Sequence, residues 1–212
     1  MATPRERGLS PLQAFLKRTL DLVGAFVGLA LTWWVIAIAY VVATIDTKAS
    51  GFFLQERVGR NGKLFKVIKI RTMRDRPDVQ TNVTTDRDPR VTVIGRILRK
   101  SKIDELPQLL NVLAGQMSFV GPRPDVPGFA DRLQGEERLI LSVRPGITGP
   151  ATLAYRDEES LLAAQSDPEA FNRDVVYPDK VRLNLAYIRN YRLWTDLECV
   201  GRSIASIWRR PK

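Results

Sequence analysis

Residues 22–45 read LVGAFVGLALTWWVIAIAYVVATI and contain neither a charge nor a proline. A helix that crosses a bilayer needs about 20 such residues. A secretory signal has a shorter apolar region and a small-residue cleavage site; here Asp46-Thr47-Lys48 follows instead. The run is therefore read as a membrane anchor rather than a buried core helix. It divides the chain into a basic N-terminal segment, 1–18, a membrane-embedded helix, 19–47, and a cytoplasmic domain, 48–212.

Positive flanks prefer the cytoplasm. Both flanks are positive here: Arg5, Arg7, Lys17 and Arg18 before, then Lys48, Arg57, Arg60, Lys63, Lys66, Lys69 and Arg71 after. A single crossing leaves one flank outside, whereas a re-entrant helix leaves neither. Trp33-Trp34, near the middle, suits an interface better than a bilayer centre. Gly24 and Gly28 have the GxxxG spacing that lets another helix approach.

The formal net charge of +10 points to an anionic partner: nucleic acid, an acidic membrane or a phosphorylated substrate. The absence of histidine removes Ser-His-Asp triads and His-ligated metals. A single cysteine, Cys199, excludes a disulfide framework. Acid–base or nucleophilic work falls to carboxylates, lysines, hydroxyls or that thiol. GxGxxG and P-loop patterns are absent, so phosphates would be held by side-chain cations.

The domain reads as α+β and mainly helical. Residues 52–72 read as a β-hairpin turned by Asn61-Gly62, with Phe65, Val67, Lys69 and Arg71 on one face of the second strand. Residues 74–89 read as a loop. Residues 91–103 form a basic amphipathic pattern, with Ile94, Ile97, Leu98 and Ser101 at helical spacing. It suits either anionic lipid or a plain solvated face. The tail from Tyr177 is helical by pattern. Its Trp194 and Trp208 fit a headgroup interface or ordinary packing equally.

The segment SKIDELPQLLNVLAGQMSFVGPRP, residues 101–124, sets two acids before a proline that suits a helix's first turn. Leu106, Leu109, Leu110 and Leu113 form the stripe of that helix. Acids there cap the helix and complement its dipole. The same dipole would lower the pKa of a nearby carboxylate.

These pieces resemble the small monotopic phosphoglycosyl transferases, or bacterial sugar transferases. The resemblance is carried by KRTLDL, QERVG, KIRTM, DPRVTVIGRILRKSKIDELPQLLNVLAGQMSFVGPRP, VRPGITGPATLAYRDEESLLA and YPDKVRLNLAYI. It implies transfer of a sugar 1-phosphate from a UDP-sugar to a polyprenyl phosphate, releasing UMP, in glycan assembly at the cytoplasmic face of the bacterial inner membrane. The family's catalytic Asp-Glu pair matches Asp104 and Glu105. Asp104 would be both nucleophile and ligand of magnesium; Glu105 would serve as base or positioning group. Lys69, Arg99, Arg123 and Arg144 are the cations expected around the phosphates, with Lys69 and Arg123 matching family positions best. Pro122 and Pro124 would hold Arg123 rigid. Where the family breaks its anchor with Ser-Pro, this chain carries Trp33-Trp34, so a re-entrant anchor rests on the flanking charges.

Three rivals stand beside this reading. A nucleic-acid binder would cluster its cations with aromatic platforms or a recognition helix; here they flank an anchor and an acid pair, and no nucleic-acid partner is expected. A non-catalytic membrane scaffold would use Asp104 and Glu105 only as caps. An aspartyl-phosphate phosphatase would share the nucleophile but not the lipid acceptor.

Overall fold

The computed structural model describes residues 8–75 and 88–208. Most of the loop expected at 74–89, and Arg5 and Arg7 of the basic segment, lie outside the described residues. Helix α1 spans Pro11–Thr47. Its start is encoded locally: Ser10 accepts from the Gln13 amide and Gln13 reaches back to the Ser10 N–H, a capping box with Pro11 in the first turn. The helix therefore begins inside the segment expected to precede it.

The re-entrant break expected within 19–47 is not observed. α1 continues as one helix through Trp33-Trp34 for 37 residues, about 55 Å. No proline interrupts it after Pro11, so nothing frees a backbone carbonyl to force a kink.

One stripe of α1 is buried from end to end: Lys17, Asp21, Ala25, Ile36, Ala39, Ala43 and Thr47. Gly24 lies under the Phe119 ring and Gly28 under Leu109, where an added Cβ would come within 2.9 and 3.1 Å. The GxxxG spacing thus admits this chain's own side chains. The opposite face exposes Phe15, Phe26, Leu31, Trp33, Trp34, Ile38 and Ile45.

After α1 come β1 (Phe52–Val58) and β2 (Leu64–Ile70), an antiparallel pair with Phe52 opposite Ile70 and Val58 opposite Leu64. Asn61 and Gly62 take positive φ at the turn, 59° and 77°, as read from sequence. Helix α2 (Val93–Lys100) and helix α3 (Gln108–Leu113) flank a 3₁₀ turn, Ile103–Glu105. Strands β3 (Ser118–Val120) and β4 (Gly146–Thr148) pair in parallel. Helices α4 (Pro150–Ala154), α5 (Glu158–Ala163), α6 (Pro168–Phe171), α7 (Tyr177–Arg189) and α8 (Leu193–Trp208) complete the chain.

The core is divided. One cluster joins Val58, Val120, Ile140, Val181 and Ile188. The second sets Ala25 of α1 against Val67, Leu109, Val112 and Met117. The third sets Ile36, Ala39 and Ala43 of α1 against Ile70 and Leu98. Two of the three clusters include α1, so removing it would expose β2 and α3.

KRTLDL supplies the polar part of that seam. Lys17 Nζ pairs with Asp196 at 2.6 Å, and both Tyr187 and Tyr191 donate to the same carboxylate. Arg18 donates to the Val112 and Leu113 carbonyls at the end of α3, where cations are favoured. Asp21 accepts from Ser118 Oγ and the Phe119 N–H. Burying these charges is tolerable only because each is partnered.

Candidate active site

The site is assembled where β2, the turn before α3 and the loop after β3 meet. Asn111 of α3 accepts from the Ile68 N–H and donates to the Lys66 carbonyl, fixing α3 against β2. That seats the turn carrying Asp104 and Glu105 beside Lys69. Both acids are buried, 8% and 9% exposed.

The loop after β3 is placed by close backbone contact. The Gly121 N–H donates to Thr148 O, and the Gly146 N–H to Pro122 O. A Cβ at Gly121 would lie 2.5 Å from the Arg144 carbonyl, and one at Gly146 would lie 2.2 Å from Gly121 N. The motifs GPRP and RPGITG are thus two halves of one crossing that only glycine permits. Pro122 and Pro124 are buried and Arg123 projects between them.

Arg123 Nη2 donates to Glu105 Oε1 at 2.9 Å, and Lys69 Nζ lies 3.8 Å from the same oxygen. Burial opposes the Glu105 charge, but Arg123, Lys69 and Lys102 outweigh it and hold the carboxyl well below the usual range. Asp104 behaves oppositely. Burial first, and the Glu105 anion second, push it up to about 6 against Lys69, Lys102 and Arg99. This corrects the expectation that a helix N-terminus would keep Asp104 easily ionised. The pair lies in a short 3₁₀ turn ahead of α3, and desolvation dominates. Burial likewise lowers Lys69 to about 8, with Glu105 opposing.

Asp104 Oδ1 is buried and has no hydrogen-bond partner. Asp104 therefore offers an oxygen that no side chain claims, whereas Glu105 is spent on two cations.

Of the expected cations, Lys69, Arg99 and Arg123 all act on Asp104. Arg99 is also paired with Glu159 of α5. Arg144 is placed elsewhere. Its Nε donates to the Gly115 carbonyl at 2.8 Å, and its charged neighbours are Arg18, Arg60 and Asp21. It closes the turn after α3 rather than joining the cations at the dyad. Arg71, just past β2, donates to Ser50 O at 2.8 Å and sets its guanidinium 5.5 Å from the ring of Phe53, the residue opposite Lys69.

Sequence reading missed a second wall. Arg57 of β1 donates to the Pro124 carbonyl and faces Arg123, Asp125 and Glu105. Asp125 is pushed up to about 6 by burial, against Lys180, Arg57 and Arg123. Lys180 pairs with Glu158 at 2.6 Å. Only QERVG and the aspartate after GPRP signalled this wall, and neither names a partner.

Among the described residues, no three acidic, histidine or cysteine side chains gather as a metal cage. Magnesium does not require one, since it is commonly held by one or two carboxylates plus substrate phosphates. The unclaimed oxygen of Asp104 fits that mode.

The sequence matches the family described as bacterial sugar transferase over residues 12–210. It is 33% identical, over 93% of its length, to a UDP-N-acetylgalactosamine-undecaprenyl-phosphate N-acetylgalactosaminephosphotransferase of Aeromonas hydrophila, of which it covers 45%. It is 35% identical, over 90% of its length, to a UDP-glucose:undecaprenyl-phosphate glucose-1-phosphate transferase of Caulobacter vibrioides, of which it covers 69%. It is 32% identical, over 96% of its length, to the exopolysaccharide production protein ExoY of Rhizobium meliloti, of which it covers 91%. The chain thus spans less than half of the first relative and nearly all of the last.

Proposed function

The chain belongs to the bacterial sugar transferase family, and from that premise we propose that it moves a sugar 1-phosphate from a UDP-sugar to a polyprenyl phosphate. The relatives' names supply the donor and acceptor classes. The observation that carries the chemistry is the buried, unpartnered oxygen of Asp104 beside a Glu105 already neutralised by Arg123 and Lys69.

In the first step an Asp104 carboxylate oxygen attacks the sugar-bearing phosphorus. The bond from that phosphorus to the bridging oxygen breaks, and its electron pair leaves with UMP. Asp104 then holds the phosphosugar as an acyl phosphate. In the second step a phosphate oxygen of the lipid attacks the same phosphorus. The Asp104 carboxylate departs, and the lipid diphosphate sugar forms. Arg123, Lys69 and Arg99 offset the diphosphate charge as it develops, and Glu105 keeps Arg123 in position for that. Asp104 would hold magnesium together with the donor phosphates; when bound, the ion supplies charge neutralisation and favours the ionised carboxylate.

The test offers a panel of UDP-sugars to the purified protein with polyprenyl phosphate and magnesium, scored by UMP release. Turnover should require the lipid, and donor alone should give a burst of UMP with a matching mass increase on Asp104. A protein that releases no UMP with any donor would be the scaffold instead.

The anchor is part of the same proposal. The buried stripe of α1 runs from Lys17 to Thr47 against the domain. A straight crossing of a hydrocarbon layer of about 30 Å would drag β2, α2 and α3 into lipid with their charges. An α1 lying along one leaflet avoids that cost. Beside it, α2 exposes Val93 and Ile97 at 73% and 63%, which favours lipid over water for that face too. With Trp194 and Trp208 replaced by Phe, Trp33 and Trp34 should be quenched more by shallow than by deep lipid-borne quenchers. A cysteine placed at Thr3 should be labelled from the side carrying the catalytic domain. Deep quenching or outer-face labelling would overturn the in-plane anchor.

A further inference from the structure

Beside the unpartnered oxygen of Asp104 the structure leaves a second buried group without a partner, the Gln108 side-chain amide nitrogen. Gln108 is 3% exposed. A buried amide left unpaired is costly, and such groups are rare unless a ligand or water completes them.

The two groups lie on one short run of chain. Ile103–Glu105 form a 3₁₀ turn, Leu106 and Pro107 both have right-handed helical angles, and α3 begins at Gln108. Its backbone bonds, Leu106 N–H to Ile103 O and Leu109 N–H to Leu106 O, keep the three-residue spacing of a 3₁₀ helix. Asp104 and Gln108 are thus an unclaimed acceptor and an unclaimed donor about one turn apart. The other unpartnered atoms belong to Ser142, Thr152, Tyr177 and Asn184, none of them on this run. Glu105, which lies between the two in sequence, is occupied by Arg123 and Lys69.

We propose that Gln108 contacts the substrate directly, its carboxamide N–H donating to a non-bridging oxygen on the phosphorus that Asp104 attacks. The inference rests on the reading that Asp104 accepts the phosphosugar. A neutral donor has a distinct use here. The cations already bind Glu105 tightly, and a further charge beside Asp104 would compete for its carboxylate. An amide donates to the developing phosphoryl charge without pairing with the nucleophile. Gln108 is almost fully buried, so little freedom is lost when the oxygen arrives.

The test uses full-length protein in detergent and follows the UMP burst from donor alone. Gln108→Met keeps the volume and removes the donor; Gln108→Glu keeps the shape and substitutes an acceptor. Neither leaves a partner stranded; the Met variant should melt no lower than the wild type, whereas the Glu variant buries an unpaired carboxyl and should melt lower. The burst rate at saturating donor should fall roughly a hundredfold. Each variant is then compared with donors in which one non-bridging oxygen of the reacting phosphate is sulfur. If Gln108 serves that oxygen, its penalty shrinks to less than about tenfold for one thio diastereomer, as coupled groups require. An unchanged penalty on all donors, or a burst within twofold of wild type on the natural donor, overturns the proposal. A wild type that gives no burst at all refutes the covalent reading itself, whatever the variants do.

Discussion

Asp104→Asn abolishes UMP release, a loss of roughly 10⁴-fold or more, and yet yields a protein at least as stable as the parent at neutral pH. Asparagine cannot form the acyl phosphate, so the donor-only burst and the mass increase disappear together. The stability effect follows from burial. The Asp104 carboxyl is raised from 3.8 to about 6 in the folded chain, so the fold favours its protonated form. That contribution is fully present below the ordinary value and is lost as pH rises through about 6. Asparagine has no such titration. The variant should therefore gain on the wild type above pH 6 and lose that advantage in acid, as read by thermal unfolding on either side of that value. A variant that folds, binds membranes and still turns over would remove Asp104 from the chemistry. Loss of folding would instead make it a structural acid.

Arg123→Ala should slow adduct formation by about 10²–10³-fold. Its guanidinium contributes most to holding Glu105 ionised, and it projects from a loop fixed by Pro122 and Pro124. Without it Glu105 keeps Lys69 at 3.8 Å, an incomplete partner for a buried carboxylate. The Arg123 side chain is 40% exposed, so water screens the pair. The stability loss should fall below the roughly 3–5 kcal/mol of a fully buried pair. The sign with pH is opposite to that of Asp104. Glu105 is depressed, so its stabilisation is present above its ordinary 4.5 and fades as pH falls. The variant's deficit should thus be largest at neutral pH and narrow in acid. Arg123→Lys restores the charge but not the planar fork, and should recover only part of the rate. A near-wild-type burst from Arg123→Ala would show that Lys69 and Arg99 suffice.

Much of the site was legible because its motifs are local. Asn61-Gly62 specifies its turn through backbone angles that few other residues tolerate. DELP places two acids just ahead of a helix, whatever surrounds them. Arg123 between prolines reads as a fixed cation, and the structure sets it between two buried prolines with its guanidinium on Glu105. The misreadings have a common source. Arg144 was expected among the cations around the phosphates, but its direction is set by the Gly115 carbonyl, 29 residues away. The ease of ionising Asp104 was argued from a helix end, while the burial that dominates comes from distant packing. The GxxxG of α1 was read as admitting another helix, and Gly28 does receive Leu109 of α3, while Gly24 receives Phe119 of β3.

The order of residues alone determined that a long uncharged run precedes a basic domain, that histidine chemistry is absent, and that Asn61-Gly62 turns the hairpin. These follow from spacing, side-chain chemistry and dihedral preference, all of them properties of neighbours in the chain. Tertiary structure alone decided which carboxylate keeps a free oxygen, which one Arg123 pairs with, and that α1 lies along the domain as one unbroken helix. Desolvation and ion pairing depend on what stands a few ångströms away, and in this fold those neighbours come from segments up to 179 residues apart, as with Lys17 and Asp196.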